Sequence, residues 1–177
     1  MCKIKNGARG FTLLELLVVV LIIGILAGIA LPQYKMAVAQ SKYNNIKQTV
    51  EQIAQSVGRY YLATNTPPDN LEVLDLNFVG EYKKYNGVEK ARITLSSGAT
   101  CGFNNGSEGG YQEIICFTKI GGKSIAYSTI VPFQTPMYTK ACYTFTLDVN
   151  HIVNKVCQKE TGRKNGSDGG GFLFYPY

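Results

Sequence analysis

An apolar run near the N-terminus constrains this chain more than any other feature. From Leu13 to Leu31 the sequence reads LLELLVVVLIIGILAGIAL, in which Glu15 is the only charged residue. A helix of this length extends about 28 Å, close to the hydrocarbon thickness of a bilayer. The run therefore predicts a transmembrane helix rather than the buried helix of a soluble domain, because core helices rarely continue this far without polar residues.

The residues before the run predict its orientation. Lys3, Lys5 and Arg9 lie within residues 1–10, which contain no acidic residue. Basic residues on this side keep an N-terminus in the cytoplasm. An ordinary secretory signal peptide is the competing interpretation, but the apolar run continues into a polar helical pattern with no clear small-x-small cleavage site.

The junction between the basic residues and the apolar run reads Gly10-Phe11-Thr12-Leu13-Leu14-Glu15. A short basic leader, a Gly, an aromatic residue, a Glu four residues later and a long apolar helix follow in order. Over residues 5–65 the chain thus closely resembles type IV pilins (type IVa-like) with their class III leader, and the related pseudopilins of type II secretion. The resemblance implies an α+β fold, in which a long N-terminal helix packs against an antiparallel sheet.

The resemblance also implies two processing steps. A prepilin peptidase would cleave between Gly10 and Phe11 on the cytoplasmic side, and the new Phe11 amine would be N-methylated. A carboxylate inside an apolar segment is costly and is usually functional. We expect Glu15 to lack a strong partner in an isolated helix and to pair with the Phe11 amine of a neighbouring chain, which would fix the register of assembly.

Small residues and a proline interrupt the apolar helix. Gly24 and Gly28 are four positions apart, a spacing that allows close contact between helices. Pro32 removes one backbone hydrogen bond and is expected to kink or loosen the helix. Either these residues are simply tolerated in a membrane helix, or they form a segment that melts and stretches as chains leave the bilayer and pack.

Apolar residues continue beyond the membrane segment at alternating spacings of three and four. They are Met36, Ala39, Tyr43, Ile46, Val50, Ile53, Val57 and Tyr60. Such a stripe is typical of a coiled coil or of a helix face on which a head domain packs, and the strand-like sequence that follows favours the head domain. The prolines at 67–68 end the helix. We therefore divide the chain into a cleaved leader (1–10), a transmembrane and assembly helix (11–34), an amphipathic half (35–64) and a globular head (65–177).

The head is expected to contain an antiparallel sheet. Residues 71–90 are interpreted as a connecting αβ loop with a short helical turn at Leu71–Leu76. Alternating, β-branched and aromatic residues predict strands at 91–97, 111–118, 124–131 and 142–149. Glycine-rich segments at 104–110, 121–122 and 165–171 are predicted turns. Two alternative readings of these turns are sugar attachment at Asn105 and Asn165 and a calcium loop through Glu108 or Asp168, although each segment holds too few carboxylates for the latter.

Five cysteines include Cys2, which would leave with the leader. Four then remain, an even number, as expected for a disulfide protein beyond the inner membrane. Three pairings are open, and we favour Cys101–Cys116 and Cys142–Cys157 because each pair flanks one predicted strand-turn unit. Each bond would contribute about 3 kcal/mol. A zinc site is the alternative, but no C-x-x-C spacing supports it. In the family that the chain resembles, a disulfide near the C-terminus commonly closes a variable loop, and Cys142–Cys157, enclosing 148–156, is the closest match.

No arrangement of residues predicts catalysis, a cofactor or a metal. His151 has no Cys or carboxylate at a suitable spacing and is interpreted as a surface or loop histidine. Removing Lys3, Lys5 and Arg9 with the leader lowers the net charge from +6 to +3. The side-chain composition then does not argue for nucleic-acid binding by one chain. An assembled filament could still capture DNA, because it repeats the weak positive charge of each subunit along its length.

The sequence therefore predicts a non-enzymatic structural subunit of a type IV pilus that serves adhesion and twitching motility. Its expected partners are further copies of itself, a prepilin peptidase, the inner-membrane platform of a pilus or secretion system, and surfaces or DNA contacted by the filament. Before assembly the chain would lie in the inner membrane with a periplasmic head, and afterwards in a cell-surface filament. The alternatives are a pseudopilin of a type II secretion system and, less favoured, a membrane-anchored enzyme.

Overall fold

A computed structural model of the 177-residue chain describes residues 10–104, 111–133 and 139–177. The side chain of Tyr111 lies outside this description, as do Cys2, most of the leader and most of the predicted turn at 104–110, including Asn105 and Glu108. The chain divides into two compact units, Met1–Ala37 and Val38–Tyr177.

Helix α1 (Leu13–Thr64) contains 52 residues and contributes to both units. Its first part, residues 13–37, contains the apolar run and belongs to the first unit. Its predicted end is confirmed, since Thr64 is the last helical residue before the two prolines. The helix also continues through Pro32.

The second unit is built on one sheet of eight antiparallel strands in the order β1-β2-β3-β4-β5-β6-β8-β7. A 3-10 helix (Leu71–Val73) follows α1, and helix α2 (Ile152–Thr161) lies between β6 and β7 in the chain. The strands are β1 (Gly80–Tyr85), β2 (Val88–Leu95), β3 (Thr100–Phe103), β4 (Tyr111–Ile120), β5 (Lys123–Pro132), β6 (Lys140–Thr144), β7 (Ser167–Asp168) and β8 (Leu173–Pro176).

The amphipathic part of α1 packs on one face of this sheet, as predicted for an α+β head. The central six members of the predicted stripe, from Ala39 to Val57, are all buried. Tyr43 contacts Tyr127 of β5 edge to face, with ring centroids 6.1 Å apart. We call this the helix-side face. Strand pairing places Cys101, Cys116, Tyr127 and Cys142 on it, because each is directly opposite the next.

The interpretation of residues 71–90 as a connecting loop was wrong in its second half. Residues 80–95 form the hairpin of β1 and β2, whereas the predicted helical turn is present at Leu71–Val73. Asn86 and Gly87 form the two-residue connection with φ angles of 49° and 82°. Asn-Gly is a strong hairpin signal, since both central residues of a type I′ turn need positive φ. The Asn-Gly signal was present in the sequence, but the basic residues Lys83, Lys84 and Lys90 around it favoured the interpretation as a solvated loop.

The segment after β6 also differs from its prediction. The strand expected at 142–149 ends at Thr144, and most of the loop expected at 148–156 is the start of α2. His151, predicted as a surface or loop residue, directly precedes α2 as its N-cap, and its Nδ1 accepts from the Val153 amide at 3.4 Å. A ten-residue helix with one short apolar stripe resembles a strand-turn segment in sequence, which explains the error.

Candidate functional site

The first turn of α1 has a capping box at Thr12 and Glu15. Glu15 Oε2 accepts from the backbone N–H and the hydroxyl of Thr12, both at 2.8 Å, and Thr12 Oγ1 accepts from the Glu15 amide at 3.2 Å. This reciprocal arrangement satisfies N–H groups that a helix start leaves unpaired. Thr12 therefore partners Glu15 within the chain, which the sequence analysis did not expect, whereas the pairing of Glu15 with a neighbouring chain stays a prediction. The Thr-x-x-Glu spacing is the sequence signal that identifies the box.

The apolar part of α1 presents its side chains outward. Leucine, isoleucine and valine residues from Leu13 to Leu31 expose roughly half or more of their surface. By length and composition, α1 is also the one helix in the described chain that is suited to crossing a membrane. An apolar surface of this size on all sides of a helix is stable only in lipid or against other apolar helices.

Gly24 and Gly28 lie on this exposed helix. No heavy atom lies within 4 Å of the position that a Cβ would occupy at either residue. Within the described chain, therefore, neither glycine is needed to admit a packed neighbour. Close approach of another helix remains our prediction for them.

Both disulfides favoured from the sequence are present in the structure. Cys101 and Cys116 bond across the directly paired strands β3 and β4. Cys142 of β6 bonds to Cys157 of α2, so this bridge attaches the helix to the sheet. Since all four cysteines are oxidised, they cannot be zinc ligands in this state, and the alternative of a zinc site was wrong. No group of three or more metal-ligating side chains occurs in the described ranges.

A polar contact joins α1 to the sheet next to the apolar stripe. Tyr127 donates its hydroxyl hydrogen to Glu51 Oε1 at 2.5 Å, and Lys140 Nζ donates to the same oxygen at 2.7 Å. Burial raises the pKa of Glu51, but the bonds from Lys140 and Tyr127 outweigh this effect and hold the pKa below its ordinary value. Burial and the Glu51 carboxylate together raise the pKa of Tyr127, which keeps its hydroxyl a donor.

The C-terminal residue takes part in a second contact with α1. The hydroxyl groups of Tyr43 and Tyr177 are 3.0 Å apart, and Lys47 forms a 2.9 Å ion pair with Glu160 of α2. The Lys47 ammonium also lies 4.9 Å from the centre of the Tyr177 ring. These contacts connect α1, α2 and the end of β8, and sequence reasoning identified none of them.

Asn154 holds α2 in place from inside the head. This side chain is completely buried. Its Oδ1 accepts from Tyr175 at 3.1 Å and from Thr144, and its Nδ2 donates to the carbonyls of Asp148 and Thr146 at 2.7 and 3.1 Å. One amide thus satisfies four partners, which makes its role structural rather than catalytic.

Comparison with known proteins shows that the chain is similar to pilin and fimbrial proteins. The family model described as the prokaryotic N-terminal methylation motif matches residues 5–31. The type IV major fimbrial protein FimA of Dichelobacter nodosus is 43% identical over 53 residues, which are 30% of this chain and 34% of that protein. The type IV major pilin protein PilE of Neisseria gonorrhoeae is 34% identical over 97 residues, which are 50% of this chain and 58% of that protein.

A third relative extends the match further. The fimbrial protein of Moraxella nonliquefaciens is 32% identical over 104 residues, which are 55% of this chain and 64% of that protein. The chain thus spans less than two thirds of the length of each of these curated relatives. No solved structure matches it at a significant level. The methylation motif at residues 5–31 includes the capped start of α1 and its apolar run.

Proposed function

We propose that this chain belongs to the type IV pilin family and is the structural subunit of a type IV pilus. Its methylation motif and the names of its relatives support the proposal. The observation that carries the proposal is the first turn of α1. An apolar helix that exposes its side chains on all sides begins directly after Gly10 and Phe11, and its capping box places Glu15 beside that junction. Such a helix needs other apolar helices around it once it leaves the membrane.

The capping box suggests how Glu15 acts in assembly. Cleavage between Gly10 and Phe11 would create an α-amine one residue before Thr12, and N-methylation would keep it cationic. Both Thr12 bonds reach Oε2 of Glu15. We expect Oε1 to accept from the Phe11 amine of a neighbouring chain while the capping box holds the carboxylate in one orientation. A neighbour in the wrong register would leave that buried carboxylate without its cation.

The remaining assignments follow from this role. The chain would insert in the inner membrane with its head in the periplasm, be processed by a prepilin peptidase and be assembled by an inner-membrane platform. Gly24, Gly28 and Pro32 would let the helix adapt when it moves from lipid into the filament. The assembled filament would serve adhesion, twitching motility and contact with surfaces or DNA, with no catalytic role for the subunit. The names of the relatives favour this role over that of a pseudopilin in type II secretion.

A pair of substitutions at Glu15 tests the proposal. Glu15→Gln keeps an oxygen that can cap Thr12 but lacks the charge, whereas Glu15→Ala removes both. In cells that carry the pilus machinery, we expect both variants to be processed and inserted normally and to yield few sheared filaments. Electron microscopy and peptide mapping of the sheared fraction measure the yield.

The outcome separates charge from capping. Wild-type filament yield from Glu15→Gln would show that capping alone matters and would overturn the proposed pairing with Phe11. Thr12→Ser, which keeps the hydroxyl of the box, is the matched control and should assemble normally. Long surface fibres from wild-type cells that contain no peptide of residues 111–133 would contradict the subunit role itself.

A further inference from the structure

The face of the sheet opposite α1 carries an open groove lined by aromatic, hydroxyl and basic side chains. Strand pairing places Arg92, Thr100, Phe117 and Ser124 on this outer face, since their neighbours Cys101, Cys116 and Ile125 point to the helix side. Phe145 follows β6 and lies beside them, and its amide donates to the Ser124 carbonyl at 3.0 Å. These five side chains line a cavity of about 340 Å³.

A second cavity, of about 390 Å³, adjoins the first. The two cavities share Thr100, Phe117 and Ser124. The second adds Ser97, Gly98, Lys119 of β4, Thr118 and Lys42 of α1. Because Thr118 pairs with Ile125 and Lys42 belongs to α1, this second cavity extends past the end of the strands to the helix side. We call the two together the outer groove. Arg92 lines the first cavity, and Lys42 and Lys119 line the second. Among the described residues the lining includes no carboxylate, although Glu113 accepts from Asn104, the partner of Arg92.

The aromatic rings of the outer groove offer flat apolar surfaces. Phe117 and Phe145 are 5.7 Å apart between centroids, and Phe145 is 41% exposed. The row continues from Phe145 to Phe172 at 6.2 Å. An aromatic face carries negative partial charge and attracts the polarised C–H groups of a pyranose ring, while the hydroxyls of Thr100 and Ser124 can exchange hydrogen bonds with sugar hydroxyls.

Arg92 is held rigidly at one end of the outer groove. Its guanidinium carbon lies 3.3 Å from the Tyr85 ring centre and 5.3 Å from that of Phe117, and Nη2 donates to Asn104 at 3.0 Å. Gly102 opposite it has no side chain, and a Cβ there would lie 2.8 Å from the Arg92 Cα. The backbone approach thus requires glycine, and the arginine is fixed in advance for an anionic group.

We infer that the outer groove binds an acidic polysaccharide, with a uronate ring against Phe117 and Phe145 and carboxylates toward Arg92 and Lys119. Single-stranded nucleic acid is the rival polyanion, but it calls for a continuous row of cations along its backbone. In the outer groove, hydroxyl and aromatic side chains separate the cations. The inference extends the proposed function, because a filament would repeat a weak site many times and gain avidity.

Calorimetry on the full chain in a polyoxyethylene detergent at low ionic strength tests the inference without any filament. The probes are an alginate hexamer, uncharged maltohexaose and a thymidylate hexamer. We expect saturable binding of the alginate hexamer and none of maltohexaose. Phe145→Leu and Lys119→Gln should each weaken binding about fivefold, the effect of losing one ring stack or one exposed ion pair.

Two control variants lie outside the outer groove. Leu147→Ala alters an exposed apolar residue of the same segment, and Lys159→Gln removes an exposed cation of α2; both should bind as the wild type does. Near-ultraviolet circular dichroism checks that each variant is folded. Tighter binding of the thymidylate hexamer, equal binding of maltohexaose, or unchanged affinity in Phe145→Leu and Lys119→Gln would overturn the inference. Because this test uses the unassembled chain, a negative binding result would not contradict the proposed pilus role. Equally, a failure to form filaments in the Glu15 test would not contradict the binding result.

Discussion

Asp75, in the segment that follows α1, forms hydrogen bonds and an ion pair with residues of that helix. Its carboxylate accepts from Arg59 Nε at 2.7 Å and Nη2 at 2.8 Å, and from the Ser56 hydroxyl. The Arg59 guanidinium, with a smaller contribution from Ser56, lowers the pKa of Asp75 to about 2. Because the pair is exposed to solvent, its effect on stability should be small but dependent on pH.

Asp75→Asn should lower the unfolding midpoint near neutral pH, and the difference from the wild type should shrink on acidification. A carboxylate whose pKa is depressed in the folded chain stabilises it above the unfolded pKa, near 4, and loses this effect as pH falls toward about 2. Thermal unfolding, followed by circular dichroism from near-neutral pH down to about pH 2, measures the difference in midpoint between the variant and the wild type. Asp69→Asn, an exposed neighbour, is the control, and a difference that stays constant with pH would contradict the assignment.

Asn154 is expected to stabilise the head because its amide is fully buried and hydrogen-bonded on every side. Asn154→Ala removes the acceptor of the buried Thr144 hydroxyl and one donor to each of the Thr146 and Asp148 carbonyls, of which Asp148 keeps the His151 amide. We expect a loss of about 3 kcal/mol, since each buried polar group left unpaired costs about 1–3 kcal/mol. Urea unfolding of the oxidised chain measures the change. Asn150→Ala, four residues earlier and exposed, should change stability little, and equal losses in the two variants would disprove the role of Asn154.

At the scale of elements, the contact between α1 and β5 combines an apolar stripe with one partly buried acceptor, Glu51. Glu51→Ala should destabilise the head by about 2 kcal/mol, because it leaves the hydroxyl of the fully buried Tyr127 unpaired. Glu51→Gln retains an oxygen for Tyr127 and loses only the ion pair with Lys140, so its loss should be smaller. Denaturant unfolding compares both with Gln52→Ala on the exposed side of the helix. Equal losses of stability in the two Glu51 variants would show that the head is stabilised by the charge of Glu51 and not by the hydrogen bond that it accepts from Tyr127.

The two disulfides act on different elements. Cys101–Cys116 reinforces a strand pair that already has backbone hydrogen bonds, whereas Cys142–Cys157 attaches α2 to the sheet. Equal spacing in the sequence thus conceals unequal structural roles. The family resemblance led us to expect a variable loop inside the second bridge, but the bridge encloses a helix start with a buried amide.

At the scale of the whole molecule, the two units differ in what their apolar residues contact. Every buried apolar residue of the described chain lies between Ala39 and Tyr175, whereas the apolar residues from Phe11 to Leu31 are largely exposed. The core of the second unit is therefore complete without the membrane segment. Stability of the head should not depend on lipid or on assembly.

A shortened chain tests this division. A protein that begins at Lys35 should be soluble, oxidised and cooperatively folded. One that begins at Asn45 lacks Ala39 and Tyr43 and should be less stable by about 3–5 kcal/mol, the usual cost of removing a large buried aromatic residue. Urea unfolding in aqueous buffer compares the two. An unfolded or aggregated protein from Lys35 onward, or equal stability of both, would contradict the division.

The sequence predicted much of the elements because their signals are local. The apolar run, the three-four spacing, the prolines at 67–68 and the strand patterns each extend over neighbouring residues, so α1, β4 and β5 were located closely. The two errors had different causes. The Asn-Gly turn at 86–87 is a strong signal of the β1–β2 hairpin that the neighbouring lysines outweighed, whereas a ten-residue helix such as α2 provides too few periods to be recognised.

By itself, the sequence determined a membrane-suited helix with a Thr-x-x-Glu start, an antiparallel head and four cysteines in two evenly spaced pairs. Only the tertiary structure decided which polar groups meet. Tyr127 and Glu51 are 76 positions apart, Lys140 and Glu51 are 89, and Gly102 faces Arg92 only through strand register. Hydrophobic periodicity depends on adjacent residues, whereas these contacts and the outer groove depend on how distant segments are brought together by folding.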